Sequence, residues 1–299
     1  MTQLPPEEFA QSNGITLCYQ QFGPADGEPL VFIMGLGAQM VFWPVPLLQD
    51  LADRGYRVIR FDNRDVGRST RFRWSLKGNA LTALLRYTTR LSVPAEYTLR
   101  DMVKDTIGLL DHLGIDKANL IGASMGGMIA QLTAATFPDR VKSLTSIMSG
   151  TNNPWAAPPK PSAMKALIGP KKPAQNAEEY IALGTDTLKH IGGTLPQGEL
   201  LDTILRASWE RGLYLRGIKQ QFLAILATGN LTSQLKKVRC PTTVIHGAVD
   251  PLLRPSNGKA SAKAIKGAKL HLIKGMGHDL PPAVLPQLAN LIEQTAKSA

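Results

Sequence analysis

Between Leu120 and Gly127 the chain reads Leu-Ile-Gly-Ala-Ser-Met-Gly-Gly, and no other stretch restricts the possible folds as sharply. The apolar run Ala118 to Ile121 has the length of a buried strand, and Met125 to Thr136 has the pattern of a helix. Ser124 therefore stands at a strand-to-helix turn inside a Gly-x-Ser-x-Gly frame, the pattern of a nucleophile elbow. A serine at the tip of such a turn takes a strained backbone conformation, and side chains two residues away on either side would collide. Gly122 and Gly126 carry none.

The flanking sequence alternates as such a turn requires. Asn13-Gly14 and Pro24 to Gly27 are turn signals around a first strand at Ile15 to Tyr19, and the apolar run Leu30 to Met34 reads as a central strand. Met34-Gly-Leu-Gly-Ala38 follows directly, a loop whose glycines let the backbone turn while its amides face a ligand. A helix (Leu47 to Arg54, stopped at Gly55) and a strand (Tyr56 to Phe61) come next. Asp62-Asn-Arg-Asp-Val-Gly-Arg-Ser69 is then read as a structural loop, because its Asp and Arg side chains can satisfy one another and the local backbone. Ala80 to Leu91 carries an apolar helical pattern flanked by Arg86 and Arg90 that could line a pocket mouth, touch a membrane surface or cover the core, the last being the default reading. Thr98 caps a helix running to Leu113.

After the helix that follows Ser124, Val141 to Met148 is another strand. From 151 to 234 the alternation lapses into helical patterns at Ala177 to His190, Glu199 to Trp209 and Leu213 to Ala227. Two parts are expected on this basis: a core from 1–150 and 235–299, and an inserted helical cap at 151–234. The core resumes with a strand at Thr242 to His246, a helix at Ser256 to Ala264, a strand at Lys269 to Ile273 and a closing helix at Val284 to Lys297.

With 299 residues, 43% of them hydrophobic, the chain is long enough to build such a core unaided. The opening residues lack a secretory signal pattern and no apolar run would span a bilayer, so a cytoplasmic protein without membrane insertion is expected. The formal charge of +11 comes from scattered basic residues, with clusters at Arg64 to Arg90 and Lys160 to Lys172. No nucleic-acid module accompanies them, so no nucleic-acid partner is expected. Cys18 and Cys240, read as lying in separate strands, lack Cys or His neighbours at metal-ligand spacing and are expected to be buried free thiols.

Loops beyond the carboxyl ends of parallel strands share one rim, so residues far apart in sequence can meet there. Ser124, Asp250 in Gly-Ala-Val-Asp-Pro and His278 in Gly-Met-Gly-His each occupy such a loop, in the order Ser, Asp, His. Taken singly, Ser124 fits a helix N-cap, Asp250 a turn beside Pro251 and His278 a surface loop. Their chain order and shared placement favour a catalytic set. His112, His246 and His271 are read as structural, and Asp279 as a turn cap.

On these motifs, together with Asp62 to Ser69, the chain resembles the α/β-hydrolase fold family over essentially its whole length. Within the family it is most similar to capped bacterial carboxylesterases of the aclacinomycin methylesterase type, which share the Asp-x-Arg-Asp-x-Gly-Arg-Ser loop. The resemblance implies an α/β fold with a mostly parallel eight-stranded sheet, helices on both faces and an inserted helical cap. It also implies a serine hydrolase of carboxylic esters or lactones acting on a small-molecule substrate without metal or organic cofactor. Ser124 would be the nucleophile, His278 the base and Asp250 its orienting acid, with the amides of Leu36 and Met125 holding the oxyanion. Many members begin the oxyanion loop with His-Gly, whereas this chain has Met34-Gly35, which leaves open what fixes the loop. Met34, Met148, Trp155 and Trp209 are candidates for lining an apolar acyl site. The same triad also fits carbon–carbon bond hydrolysis or cofactor-free perhydrolysis, and a ligand-binding protein on the same scaffold is the remaining alternative. The oligomeric state is not legible.

Overall fold

A computed structural model describes residues 4–73, 80–169 and 172–299. The chain enters through a hairpin of β1 (Glu8–Ser12) and β2 (Ile15–Phe22), whose two turn residues Asn13 and Gly14 have φ of 49° and 75°. Positive φ at both positions suits the twist of the flanking strands. There follow β3 (Glu28–Ile33), α1 (Val45–Asp53), β4 (Tyr56–Phe61), α2 (Ala80–Thr88), α3 (Leu99–His112), β5 (Ala118–Ala123), α4 (Met125–Thr136) and β6 (Val141–Ile147). Five helices then come in succession: α5 (Pro161–Ile168), α6 (Ala177–Ile191), α7 (Leu200–Glu210), α8 (Leu215–Thr228) and α9 (Thr232–Leu235). The sheet is completed by β7 (Thr242–Gly247), α10 (Pro255–Ala264), β8 (Lys269–Ile273) and α11 (Leu285–Ala296).

The described strands form one eight-stranded sheet in the order β1-β2-β4-β3-β5-β6-β7-β8. The β1–β2 and β2–β4 pairs are antiparallel and every other pairing is parallel. Strand side chains alternate between faces, and the two apolar clusters sort accordingly. Val31, Ile33, Leu120 and Leu144 pack with α3 and α4 on one face, while Leu30, Phe32, Ile121 and Ile147 pack with α1 and α11 on the other. The central strands are thus apolar on both sides, as buried parallel strands must be. At the start of α3, Thr98 Oγ1 accepts from the Arg100 amide (3.2 Å) and the Asp101 carboxylate accepts from the Thr98 amide (2.9 Å), so the residue read as the cap is held in a reciprocal pair.

Several boundaries move. Cys240 is not in a strand: it lies two residues before β7, because Pro241 has no amide proton for a ladder and only its carbonyl pairs, with the Leu144 amide (2.9 Å). Both cysteines are free; Cys18 is buried and Cys240 only partly so. α5 and α9 are short helices that the apolar pattern did not mark, and a 3-10 turn at Pro282–Val284 separates α11 from the preceding loop. Residues 74–79 and 170–171 of the two basic clusters lie outside the described residues, as does the opening 1–3. No helix among the described residues is long and apolar enough to cross a membrane.

Candidate active site

Ser124 stands between the last residue of β5 and the first of α4, with φ 55° and ψ −119°. For a residue with a Cβ this backbone is strained, and the neighbouring glycines explain how it persists. A Cβ on Gly122 would sit 2.2 Å from the Gly126 carbonyl oxygen, and one on Gly126 would sit 2.0 Å from that of Ile33. Backbone therefore packs directly on backbone around the turn. The Ser124 amide donates to Ile147 O (2.9 Å), and its carbonyl accepts from Ser149 Oγ (2.7 Å) and from the Gly127 and Met128 amides. The Ser124 hydroxyl caps no helix amide. It is left free to face outward.

What it faces is His278. The loop after β8 carries His278 and the loop after β7 carries Asp250, so the parallel sheet delivers both to the rim where Ser124 stands. His278 Nε2 lies 3.0 Å from Ser124 Oγ and His278 Nδ1 lies 2.8 Å from Asp250 Oδ2. An ionised carboxylate only accepts, which puts the proton on Nδ1 and leaves the Nε2 lone pair to accept from the serine hydroxyl. Asp250 is buried, and Oδ1 accepts from the Leu252 (2.8 Å) and Leu253 (2.9 Å) amides. Burial alone would raise its pKa; the charge of His278 and hydrogen bonds from His246 and His278 outweigh that and bring it down to about 2.

His246, read from sequence as structural, is fully buried inside β7, with Nε2 at 2.5 Å from Leu253 O and 3.5 Å from Asp250 Oδ2. A carbonyl accepts, so Nε2 carries the proton and donates it to Leu253 O, with the Asp250 carboxylate next to that same nitrogen. The spacing of four between His246 and Asp250, straddling a strand end, was the one available signal. Asp279 turns away from the serine: Oδ1 accepts from the Gly277 amide (2.8 Å), and Oδ2 from the Gly193 amide (2.9 Å) and Gln197 Nε2 (2.6 Å). With the His278 amide donating to Ile191 O (2.8 Å), the histidine loop is tied to the segment between α6 and α7.

Across from the elbow runs the loop Met34 to Ala38. A Cβ on Gly35 would lie 3.1 Å from Ser124 Cβ, so the loop passes against the serine itself. Leu36 N–H meets no acceptor among the described residues, and Met125 N–H heads α4, where an amide has no partner one turn back. The post-β4 loop braces this strand end: Asn63 Nδ2 donates to Met34 O (2.9 Å), and Asp62 Oδ1 accepts from the Met40 amide (2.7 Å). Asp62 Oδ2 accepts from the Arg68 amide (2.9 Å) and from Arg211, which also reaches Glu7 and Gln39. Arg64 makes a buried two-point ion pair with Asp105 (2.6 and 2.7 Å). The charges of Asp62 to Ser69 are thus engaged in bracing the fold.

Of the apolar candidates, Met34 and Met148 are buried in the same cluster beside the ends of β3 and β6. Trp209 is half-buried against the Tyr180 ring, and Trp155 is 69% exposed, outside that cluster. His112 packs edge-on to Tyr19, and His271 lies within β8.

Comparison with known proteins agrees with this architecture. Residues 28–281 match the family profile described as alpha/beta hydrolase fold. The chain is similar to rhodomycin D methylesterase DnrP of Streptomyces peucetius, 25% identical across 96% of this chain and 97% of that protein. It is also similar to the serine hydrolase BPHL of Homo sapiens, 26% identical over 90% of this chain and 78% of that one. Among solved structures, the enol-lactonase from Burkholderia xenovorans LB400 shares the fold with a TM-score of 0.69 at 21% identity, covering 97% and 98% of the two chains. The match extends from β3 past His278 and so takes in the elbow, both flanking loops and the run of five helices: this chain belongs to the alpha/beta hydrolase fold family.

Proposed function

We propose that this hydrolase cleaves small-molecule carboxylic esters, lactones included, through an acyl-enzyme formed on Ser124. The observation that carries the reading is the continuous relay from Asp250 through His278 to Ser124, at 2.8 and 3.0 Å, on an elbow with no other use for its hydroxyl. Serine is a poor nucleophile until a base takes its proton. His278 Nε2 accepts that proton as Ser124 Oγ adds to the carbonyl carbon, and Asp250 stabilises the imidazolium. The negative charge on the former carbonyl oxygen is met by the Leu36 and Met125 amides. Collapse breaks the bond to the alcohol oxygen, which leaves with the proton from His278. Water, deprotonated by the same nitrogen, adds to the acyl carbon and releases the acid and free Ser124.

The five-helix insertion at 151–234 acts as a cap over this rim, and Met34 and Met148, with Trp209 from the cap, are assigned to the acyl side of the pocket, while the exposed Trp155 is left out of it. The relative named as a methylesterase favours esters of small alcohols as first substrates. The test is hydrolysis of methyl and p-nitrophenyl esters of increasing acyl length by the wild type and by Ser124→Ala, alongside labelling by a fluorophosphonate. The expected result is turnover that falls by about 10⁴-fold or more in the alanine variant, and labelling that disappears. Undiminished turnover in Ser124→Ala would sink the reading.

A further inference from the structure

The loop that carries the Leu36 amide lacks the histidine that opens it in many members of the family, and its middle is gripped from an unexpected side. Ala38 N–H donates to Gly35 O (3.3 Å), which makes Leu36 and Gly37 the two central residues of a tight turn. Gly37 has φ 67°, the left-handed conformation of the second central residue in a type II turn. Its amide does not face the serine. It donates to Gln221 Oε1 (2.8 Å), a side chain from α8, 184 residues away. Gln221 is fully buried, and its Nε2 donates to Arg64 O (2.8 Å) in the post-β4 loop, whose side chain is locked to Asp105. One turn earlier in α8, a Cβ on Gly217 would lie 1.9 Å from Asp65 O, and Ile218 Cγ1 would lie 2.8 Å from a Cβ on Gly37. α8 is therefore pressed against both loops, and the carboxamide spans them with both of its polar ends satisfied.

We propose that Gln221 is a positioning residue for the oxyanion site, an inference that rests on the ester-hydrolase reading above. The peptide joining Leu36 to Gly37 can flip in a tight turn of this kind, exchanging the directions of its N–H and C=O. Holding Gly37 N–H on Gln221 fixes that plane and commits the Gly37 amide away from the serine. Of the two central residues of the turn, Leu36 is then the one whose N–H stays a free donor, beside Met125 N–H. Asn63 holds the start of the loop, at Met34 O, and Asp62 holds the Met40 amide beyond its end, so Gln221 supplies the anchor between them. Because the charge on the oxygen develops only during reaction, loss of this anchor is expected to lower kcat with little change in KM.

The experiment compares Gln221→Met, which keeps length and removes both hydrogen bonds, with Gln221→Glu, whose carboxyl accepts from the Gly37 amide in either protonation state. Both are measured on p-nitrophenyl esters beside Ser124→Ala, with rates normalised to serine titrated by a fluorophosphonate so that only folded protein counts. The rate of labelling itself is a second readout, since phosphonylation builds charge on an oxygen at the same place. The expected result is a kcat about 10- to 100-fold lower in Gln221→Met, short of the about 10²–10³ for deleting a donor outright. KM should stay within about threefold, labelling should slow in parallel, and Gln221→Glu should recover most of the loss. Equal losses in the Met and Glu variants, a loss confined to KM, or an unchanged kcat in folded Gln221→Met would each overturn the proposal. Turnover surviving in Ser124→Ala would instead remove the underlying reading, and this inference with it.

Discussion

Replacing Ser124 by glycine should make the protein more stable than replacing it by alanine, although both variants lose the nucleophile. Each substitution deletes the hydroxyl and its hydrogen bond with His278, so that loss cancels between them. What remains is the Cβ at φ 55°, ψ −119°, a conformation that glycine enters freely and alanine does not. Backbone strain of this kind costs about 1–3 kcal/mol. Against it stands the greater freedom of glycine in the unfolded chain, about 0.4–1 kcal/mol. The glycine variant should therefore gain about 1.3 kcal/mol over the alanine variant at the middle of both ranges, and at most about 2.6 kcal/mol. For a chain of this size each kcal/mol moves Tm by about 2–4 °C. Calorimetric Tm and urea midpoints of the two purified variants measure the difference directly. If Ser124→Gly melts at or below Ser124→Ala, the strain is not stored at this residue, and the account of Gly122 and Gly126 as the residues that permit it falls with it.

The buried Arg64–Asp105 pair gives a second stability test: Asp105→Ala strands the guanidinium and should cost about 3–5 kcal/mol by urea denaturation, much of it recovered by adding Arg64→Met. The Asp250 carboxyl, at about 2 in the fold against 3.8 ordinarily, gives a pH test with a defined sign. Its ionised form is favoured by folding, so the stabilisation, about 2 kcal/mol, is complete above pH 3.8 and drains away as pH falls toward 2. Urea midpoints of wild type and Asp250→Asn should converge over that window, and a gap of constant size from pH 5 to pH 3 would refute it. Burial pushes the Cys18 thiol up to about 12, so it should react with a disulfide reagent only after denaturation; reaction at the free-cysteine rate in the native state would contradict its placement.

The elbow was readable from sequence because its causes are local. Strand, two spaced glycines, serine and helix are consecutive, and the steric demand that unites them acts between near neighbours. Asp250 and His278 were readable for a different reason. Neither has a distinctive local environment, but a parallel sheet sends every post-strand loop to the same rim, so their order and position stood in for contact. Cys240 shows the limit of apolar pattern alone, since Pro241 ends the pairing that the pattern implied.

What holds the site in place could not be read in that way. His246 reaches Asp250 because β7 ends between them. Asp279 ties the histidine loop to Gly193 and Gln197, and Gln221 joins Gly37 to Arg64, each across a long stretch of intervening chain. A carboxamide or carboxylate that satisfies a backbone amide leaves no periodicity and no spacing, because its partner is a group that every residue but proline carries. The reacting residues are restricted by chemistry to a few types and by topology to a few loops. Their supports are restricted only by distance, which exists once the helices between β6 and β7 have packed against the loops after β3, β4 and β8. The missing histidine at Met34 illustrates the point: the loop is anchored through Asn63, Asp62 and Gln221, ordinary polar residues whose roles become visible only when the chain is folded.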